Sequence, residues 1–233
     1  MTRSGDTLLQ IYRAAHGCFG HQGWWPGQTP LEVCVGAILT QNTNWTNVEK
    51  AIANLRAAGA MSIARLHELS HDELAALIRP AGYFNIKARR LRNFIAAVHA
   101  RSGEDLEAFL ARPAGVLREE LLAISGVGRE TADSIILYAA RQATFVVDAY
   151  TYRILLRHGV ISPEDDYEAI KDFIESDLPT PADEAAKLDL YNDFHAQFVA
   201  TGKTYCRPAA RCAGCPLEHL PHDARLASRA AEE

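Results

Sequence analysis

Three cysteines near the C-terminus, Cys206, Cys212 and Cys215, follow the pattern C-x5-C-x2-C, with Pro216 next. Thiols this closely spaced, in a chain whose first residues contain no apolar export segment, point to a metal rather than to disulfides. A second group lies in "SGVGRETAD", residues 125–133, between the apolar helical patterns "LREELLAI" and "SIILYAA". A glycine-centred turn between two helices is a helix-hairpin-helix. Gly126 and Gly128 permit tight backbone and close approach. The unpaired N–H groups that begin the following helix, together with its dipole, attract a phosphate. Such a grip holds a nucleic-acid backbone without reading its sequence, although a plain αα-corner also uses glycine. A third candidate is Asp148 in "VVDAYTYRI". Placed between an apolar run and a helix, it suits an N-cap and equally a carboxylate held at a helix start.

The elements that must position these residues are nearly all helical. Apolar residues recur at helical spacing over "DTLLQIYRAAHGCF", with Asp6 as its cap, and over "TPLEVCVGAILTQN", with Thr29 as cap and Pro30 at the first helical position. "NWTNVEKAIANLRAAG" ends at Gly59, "HDELAALIR" at Pro80, and "NIKARRLRNFIAAVHARSG" at its glycine. "MSIARLHELS" and residues 113–123, 129–140, 149–158, 163–176 and 182–201 continue the pattern. Only "ATFVV" at 143–147 reads as a strand, so the fold class is all-α. The polar tail "DARLASRAAEE" is expected to fray.

The chain of 233 residues has 48% hydrophobic and 23% charged residues, the composition of an ordinary globular protein of one or two domains. No run nears the roughly eighteen apolar residues that span a bilayer, so no membrane partner and a cytoplasmic location are expected. The net charge of −5 weighs against general affinity for nucleic acid but allows a local basic face. "KARRLR" at 87–92 is either such a face or a solvated helix side.

The hairpin and the Asp segment, in this order, resemble the helix-hairpin-helix Gly/Pro-Asp superfamily of DNA base-excision glycosylases, in its endonuclease III branch. "LTQNTNW" at 39–45 is similar to that family's segment facing the lesion, and "GYFNIKARRL" at 82–91 to its loop that enters the duplex. The tryptophan pair in "HQGWWPGQTP", together with "TQNT", "GRETAD" and "VVD-x-Y-x-Y", resembles the 3-methyladenine DNA glycosylase III subfamily. The resemblance implies two helical domains with the active cleft between them. A six-helix domain would span residues 23–134, and 1–22 would join 135–233 in a domain carrying the cysteines. Its partner would be double-stranded DNA with a damaged base, bound by a monomer.

The same resemblance implies roles for individual residues. Asp148 would stabilise the sugar cation formed as the glycosidic bond breaks, and orient or deprotonate a water. Gln41 would fill the space the base leaves. Tyr83 would intercalate, although a loop aromatic packed on its own domain is the plainer reading. Lys87, Gly126, Gly128, Arg129 and Thr131 would contact DNA. Bifunctional relatives carry a lysine nucleophile where this chain has Glu130; a carboxylate forms no imine, so a monofunctional enzyme is expected. An acid in a first helical turn also simply suits the dipole. Trp24, Trp25 and Trp45 are candidates for an aromatic pocket that attracts a cationic alkylated purine, with at most two of them touching the base. Oxidised pyrimidines are the alternative substrate, and a non-catalytic DNA-binding protein on the same scaffold is the alternative class.

The branch binds a 4Fe-4S cluster through four cysteines, but its fourth position is Pro221 here and no cysteine follows Cys215. His222, and after it His219, are the local substitutes, since imidazole can replace thiolate on iron. Zinc on three Cys and one His is the chemical alternative. Cys34 lies in an apolar helical run, and Cys18 on the N-terminal helix is too distant in sequence to assume as a ligand. A metal here would order a loop bearing Lys203, Arg207 and Arg211 against phosphates.

Overall fold

The computed structural model describes residues 5–226, in which there are twelve α-helices and no strand. The chain divides into two compact units, Trp25–Gln142 and the remainder, from both ends of the chain.

α1 spans Gly5–Phe19 and belongs to the second of these units. Asp6 lies inside its first turn rather than at the cap position expected of it. The Trp25–Gln142 unit begins with α2, Pro30–Leu39, capped as expected by the Thr29 side chain and opened by Pro30. Every residue of α2 from Leu31 to Leu39 is buried, as befits a helix apolar on all sides. Around it lie α3 (Trp45–Ala57), α4 (Ile63–Glu68), α5 (His71–Leu77), a 3-10 turn at Arg79–Ala81 and α6 (Phe84–Ser102). Asn44, Ser62 and Ser70 cap α3, α4 and α5 through side-chain oxygens, and Ser70 forms a capping box with Glu73. α6 turns Leu91, Phe94, Ile95 and Val98 into this unit's core. α7 (Leu106–Leu110) is short and capped by Asp105; its five residues are too few for helical periodicity to reveal. α8 (Ala114–Leu122) and α9 (Arg129–Ser134) form the hairpin.

α9 runs without a break into a π-helical turn, Ile135–Ala139, that packs on α2. Its residues are all buried in this unit, which is why the chain crosses to the other unit at 142/143 rather than after residue 134.

The expected strand at 143–147 does not form. Phe145, Val146 and Val147 are buried, but the backbone hydrogen-bonds to side chains. The Phe145 N–H donates to Glu175 Oε1 at 2.6 Å and the Val147 N–H to the Tyr167 hydroxyl at 3.4 Å. α10 (Ala149–Arg157), α11 (Tyr167–Asp177) and α12 (Glu184–Thr204) complete the second unit, with α12 packed on α1 and α10. Its core is aromatic: Phe145 meets Tyr191, Phe194 and Phe198 edge-on. Asp193 of α12 is fully buried and accepts from the Tyr12 hydroxyl and from the Gln22 N–H. It therefore ties α1 and the following loop to α12. The start of the polar tail is held by the Asp223 N–H on Arg157 O at 2.8 Å. Residues 227–233 of that tail lie outside the described residues.

Candidate functional site

The hairpin turn is set by Gly126. Its φ of +95° is left-handed, and a Cβ there would stand 2.3 Å from Arg90 Cγ. Gly128 differs: at φ −89° and ψ 179° it is extended backbone that any residue adopts, so the conformational need predicted at 128 is absent. Gly128 is the N-cap of α9 and, as a glycine, brings no side chain of its own to cap the first turn. Arg129 is exposed beside it.

Two further turns belong to this unit. Tyr83 holds a left-handed backbone, φ 43°, just before α6, and is 70% exposed, more than any other large apolar side chain described. Strain of this kind in a bulky residue persists where the surroundings impose it, often at functional positions. Gln41 is tethered to the hairpin. Its Nε2 donates to Thr131 Oγ1 at 2.9 Å and to Gly126 O at 3.3 Å, and Arg90 Nη1 donates to its Oε1. Thr131 is buried, so its hydroxyl serves Gln41 rather than DNA. Lys87 overturns the expectation that it meets DNA. It is 2% exposed and donates to Leu39 O at 2.9 Å and Ala81 O at 2.8 Å. Burial, and behind it the charge of Arg90, pushes its ammonium down to about 8.

The tryptophans part company. Trp25 meets Trp45 edge-on, with ring centres 5.3 Å apart, and lies 5.0 Å from Tyr138 of the π-helical turn. Both indoles stand over Gly36 of α2, where a Cβ would lie 3.2 Å from Trp45 and 3.4 Å from Trp25 Nε1. A glycine in a helix costs stability, and here it makes room for two indoles. Trp24 lies in the other unit, with the Lys203 ammonium 5.6 Å from its ring centre. Tyr138 escapes sequence reading because an aromatic within "SIILYAA" looks like core; the π-helical turn, a form frequent at functional sites, is visible only in the fold.

In the second unit Asp148 caps α10. Its Oδ1 accepts from the Thr151 N–H at 2.7 Å and the Thr151 hydroxyl at 2.9 Å. Oδ2 instead faces His195 Nε2 of α12 at 3.6 Å, and the Asp148 side chain keeps 11% of its surface exposed. Burial raises its pKa, but hydrogen bonding and charge from His195, followed by the two Thr151 bonds, outweigh burial and hold the carboxyl below its ordinary range. One oxygen thus anchors the helix while the other remains for an electrostatic task. His195 gives no signal in the sequence, because only the packing of α12 on α10 brings it near.

Cys206, Cys212 and Cys215 line a single pocket open to solvent. His222 and His158 line it too, whereas His219 does not. Arg157 Nη1 donates to Cys206 Sγ at 3.2 Å. Burial pushes the Cys215 thiol up, and the nearby Cys206 and Cys212 add to that rise. His222 Nδ1 lies 2.8 Å from Leu220 O; donation there leaves Nε2 with its lone pair, the pattern of a metal-ligating histidine. Among the described residues no three His, Cys, Asp or Glu side chains converge on a single ion. Three cysteines and a histidine on one pocket are a donor set that both iron–sulfur clusters and zinc use. Lys203, Arg207 and Arg211 are all exposed nearby in sequence.

Residues 35–179 match the HhH-GPD superfamily base excision DNA repair protein family. A Methanocaldococcus jannaschii protein provisionally named a DNA repair glycosylase is 44% identical over 92% of this chain and 96% of its own. Endonuclease III of Thermotoga maritima is 26% identical over 82% and 81%. Among solved structures, Helicobacter pylori 3-methyladenine DNA glycosylase bound to 1,N6-ethenoadenine superposes with a TM-score of 0.74 at 28% identity, covering 84% of this chain and 97% of that one. A non-covalent endonuclease III–DNA complex gives 0.78 at 19% identity over 95% and 97%.

Proposed function

The chain belongs to the HhH-GPD superfamily of base excision DNA repair proteins and is a DNA N-glycosylase, and from that premise we propose that it hydrolyses the glycosidic bond of alkylated, 3-methyladenine-type purines without cutting the strand. The observation that carries the substrate class is the Trp25–Trp45 pair over Gly36, with Tyr138 against Trp25. Alkylation at a ring nitrogen makes the base cationic and a better leaving group. Aromatic faces attract such a flat cation by about 0.5–2 kcal/mol. The H. pylori relative, described with 1,N6-ethenoadenine bound, supports a modified purine.

The residues then act as follows. The hairpin at Gly126–Arg129 takes a phosphate on the start of α9, where the N-cap is a glycine. Tyr83 enters the duplex, and the target nucleotide leaves the stack for the aromatic group. Asp148 Oδ2, kept ionised beside His195, stabilises the positive charge developing on the sugar and orients the attacking water. Glu130 supplies no amine for an imine, and Lys87 is enclosed by the carbonyls of Leu39 and Ala81. The enzyme works as a monomer on duplex DNA holding a damaged base.

Excision assays on duplexes containing 3-methyladenine or thymine glycol test this reading. Free 3-methyladenine, an intact alkali-labile strand and no borohydride-trapped adduct are expected. Release of thymine glycol alone would overturn the substrate class, and a trapped covalent adduct would overturn the monofunctional chemistry.

A 4Fe-4S cluster fits Cys206, Cys212 and Cys215 with His222 as fourth ligand. When bound, it supplies structural order to the segment carrying Arg207 and Arg211 and no redox step in base release. The purified protein is expected to be yellow-brown, with broad absorbance near about 400 nm. His222→Ala should lose iron and colour, whereas His222→Cys should retain both. A colourless protein with one bound zinc, or unchanged iron in His222→Ala, would overturn the assignment.

A further inference from the structure

Lys87 is the one residue of the sequence-derived DNA contacts whose charge is buried. Its ammonium meets two backbone carbonyls, Leu39 O at 2.9 Å and Ala81 O at 2.8 Å, and no carboxylate takes part in either bond. Taking an ammonium out of water is costly unless hydrogen bonds compensate, so a function beyond filling space is expected of it. The two carbonyls are informative. Leu39 is the last residue of α2, where the helix presents its negative end. Ala81 ends the 3-10 turn that leads through Gly82 to Tyr83. Ala81 O also accepts from the Thr43 hydroxyl at 2.6 Å, so this oxygen joins the Gln41 turn to the Tyr83 turn twice. One helical turn further along α6, Arg90 reaches Gln41 Oε1 and lies against Gly126.

We propose that Lys87 is a positioning residue, an internal staple that holds the Gln41 turn and the Tyr83 turn in a single arrangement so that both meet the duplex together. The left-handed backbone of Tyr83 fits this role. Strain at φ 43° relaxes unless the preceding turn is held, and Lys87 and Thr43 hold it through Ala81 O. The inference rests on the reading that Tyr83 and Gln41 contact DNA, but it concerns how their turns are held rather than what they touch.

Binding to a duplex with a tetrahydrofuran abasic-site analogue, measured alongside thermal melting, tests it with Lys87→Met, Tyr83→Ala and the double variant. Lys87→Met is expected to melt cooperatively and to bind about tenfold more weakly, and Tyr83→Ala should add little once Lys87 is gone. Losses that multiply in the double variant, or unchanged binding by Lys87→Met, would overturn the staple. Should Lys87→Met fail to fold, Thr43→Val removes the second donor on Ala81 O and is expected to show a smaller loss with the same lack of additivity; independence from Tyr83→Ala there would overturn the staple equally. Wild-type binding by Tyr83→Ala alone would instead overturn the wedge role, and the staple is then read from the same cycle built with Gln41→Ala.

Discussion

Asp148→Asn is expected to retain the fold and DNA affinity while losing about 10²- to 10⁴-fold in the rate of base release. The structure separates the two tasks of this side chain. Oδ1 caps α10 through the Thr151 N–H and hydroxyl, and asparagine keeps an oxygen for that position. Oδ2, facing His195 Nε2 at 3.6 Å, supplies the negative charge, which the amide removes. Asp148→Ala removes both, so it should lose the same activity and in addition about 0.5–2 kcal/mol of stability from the missing cap. The comparison distinguishes chemistry from structure. The pH dependence follows from the direction of the shift. The folded carboxyl lies below its ordinary value of about 3.9, so its contribution to stability is full above that value and is lost as pH falls through the lower folded one. Activity should therefore show no acid limb from Asp148 in the neutral range. Single-turnover excision, melting and duplex binding read these effects; near-normal turnover by Asp148→Asn would remove the charge-stabilising role.

Which features the sequence revealed depended on how local they are. Thr29, Pro30 and Asp148 act within a few residues of themselves, and caps obey short-range rules, so their places were legible. The hairpin was legible at Gly126, where a positive φ and the approach of Arg90 demand glycine, whereas the extended backbone at Gly128 makes no such conformational demand. "ATFVV" has strand composition, but strand needs a partner, and Glu175 and Tyr167 side chains take its N–H groups instead. Lys87 shows the opposite failure. Within "KARRLR" it looks like part of a charged surface, yet α6 turns it inward onto two carbonyls while Arg89 remains exposed. His195 and Tyr138 join their sites through helix packing alone. No spacing rule links His195 to Asp148 or Tyr138 to Trp25.

Trp25→Ala is expected to lower excision of 3-methyladenine about 10- to 100-fold, from the loss of one stacking face worth about 1–3 kcal/mol and its cation–π component. The opposing consideration is that Trp25 also packs. Its edge-on contact with Trp45 and its tilt against Tyr138 each contribute about 0.5–1.5 kcal/mol to the unit that bears them. Two comparisons separate recognition from packing. Trp25→Phe keeps an aromatic face and should recover most of the excision lost in Trp25→Ala. The neutral lesion 1,N6-ethenoadenine is stacked but not attracted as a cation, so Trp25→Ala should penalise it less than 3-methyladenine. Gly36→Val approaches the same site from beneath: its side chain must displace Trp45, already 3.2 Å from the position of a Cβ, and should reduce excision while leaving both indoles in the chain. Binding to an abasic-site duplex has no base to stack and should change little in any of these variants. Equal losses for abasic and base-containing DNA would mean that Trp25 serves only to support the fold around α2, and the substrate class inferred from the aromatic group would fall with it.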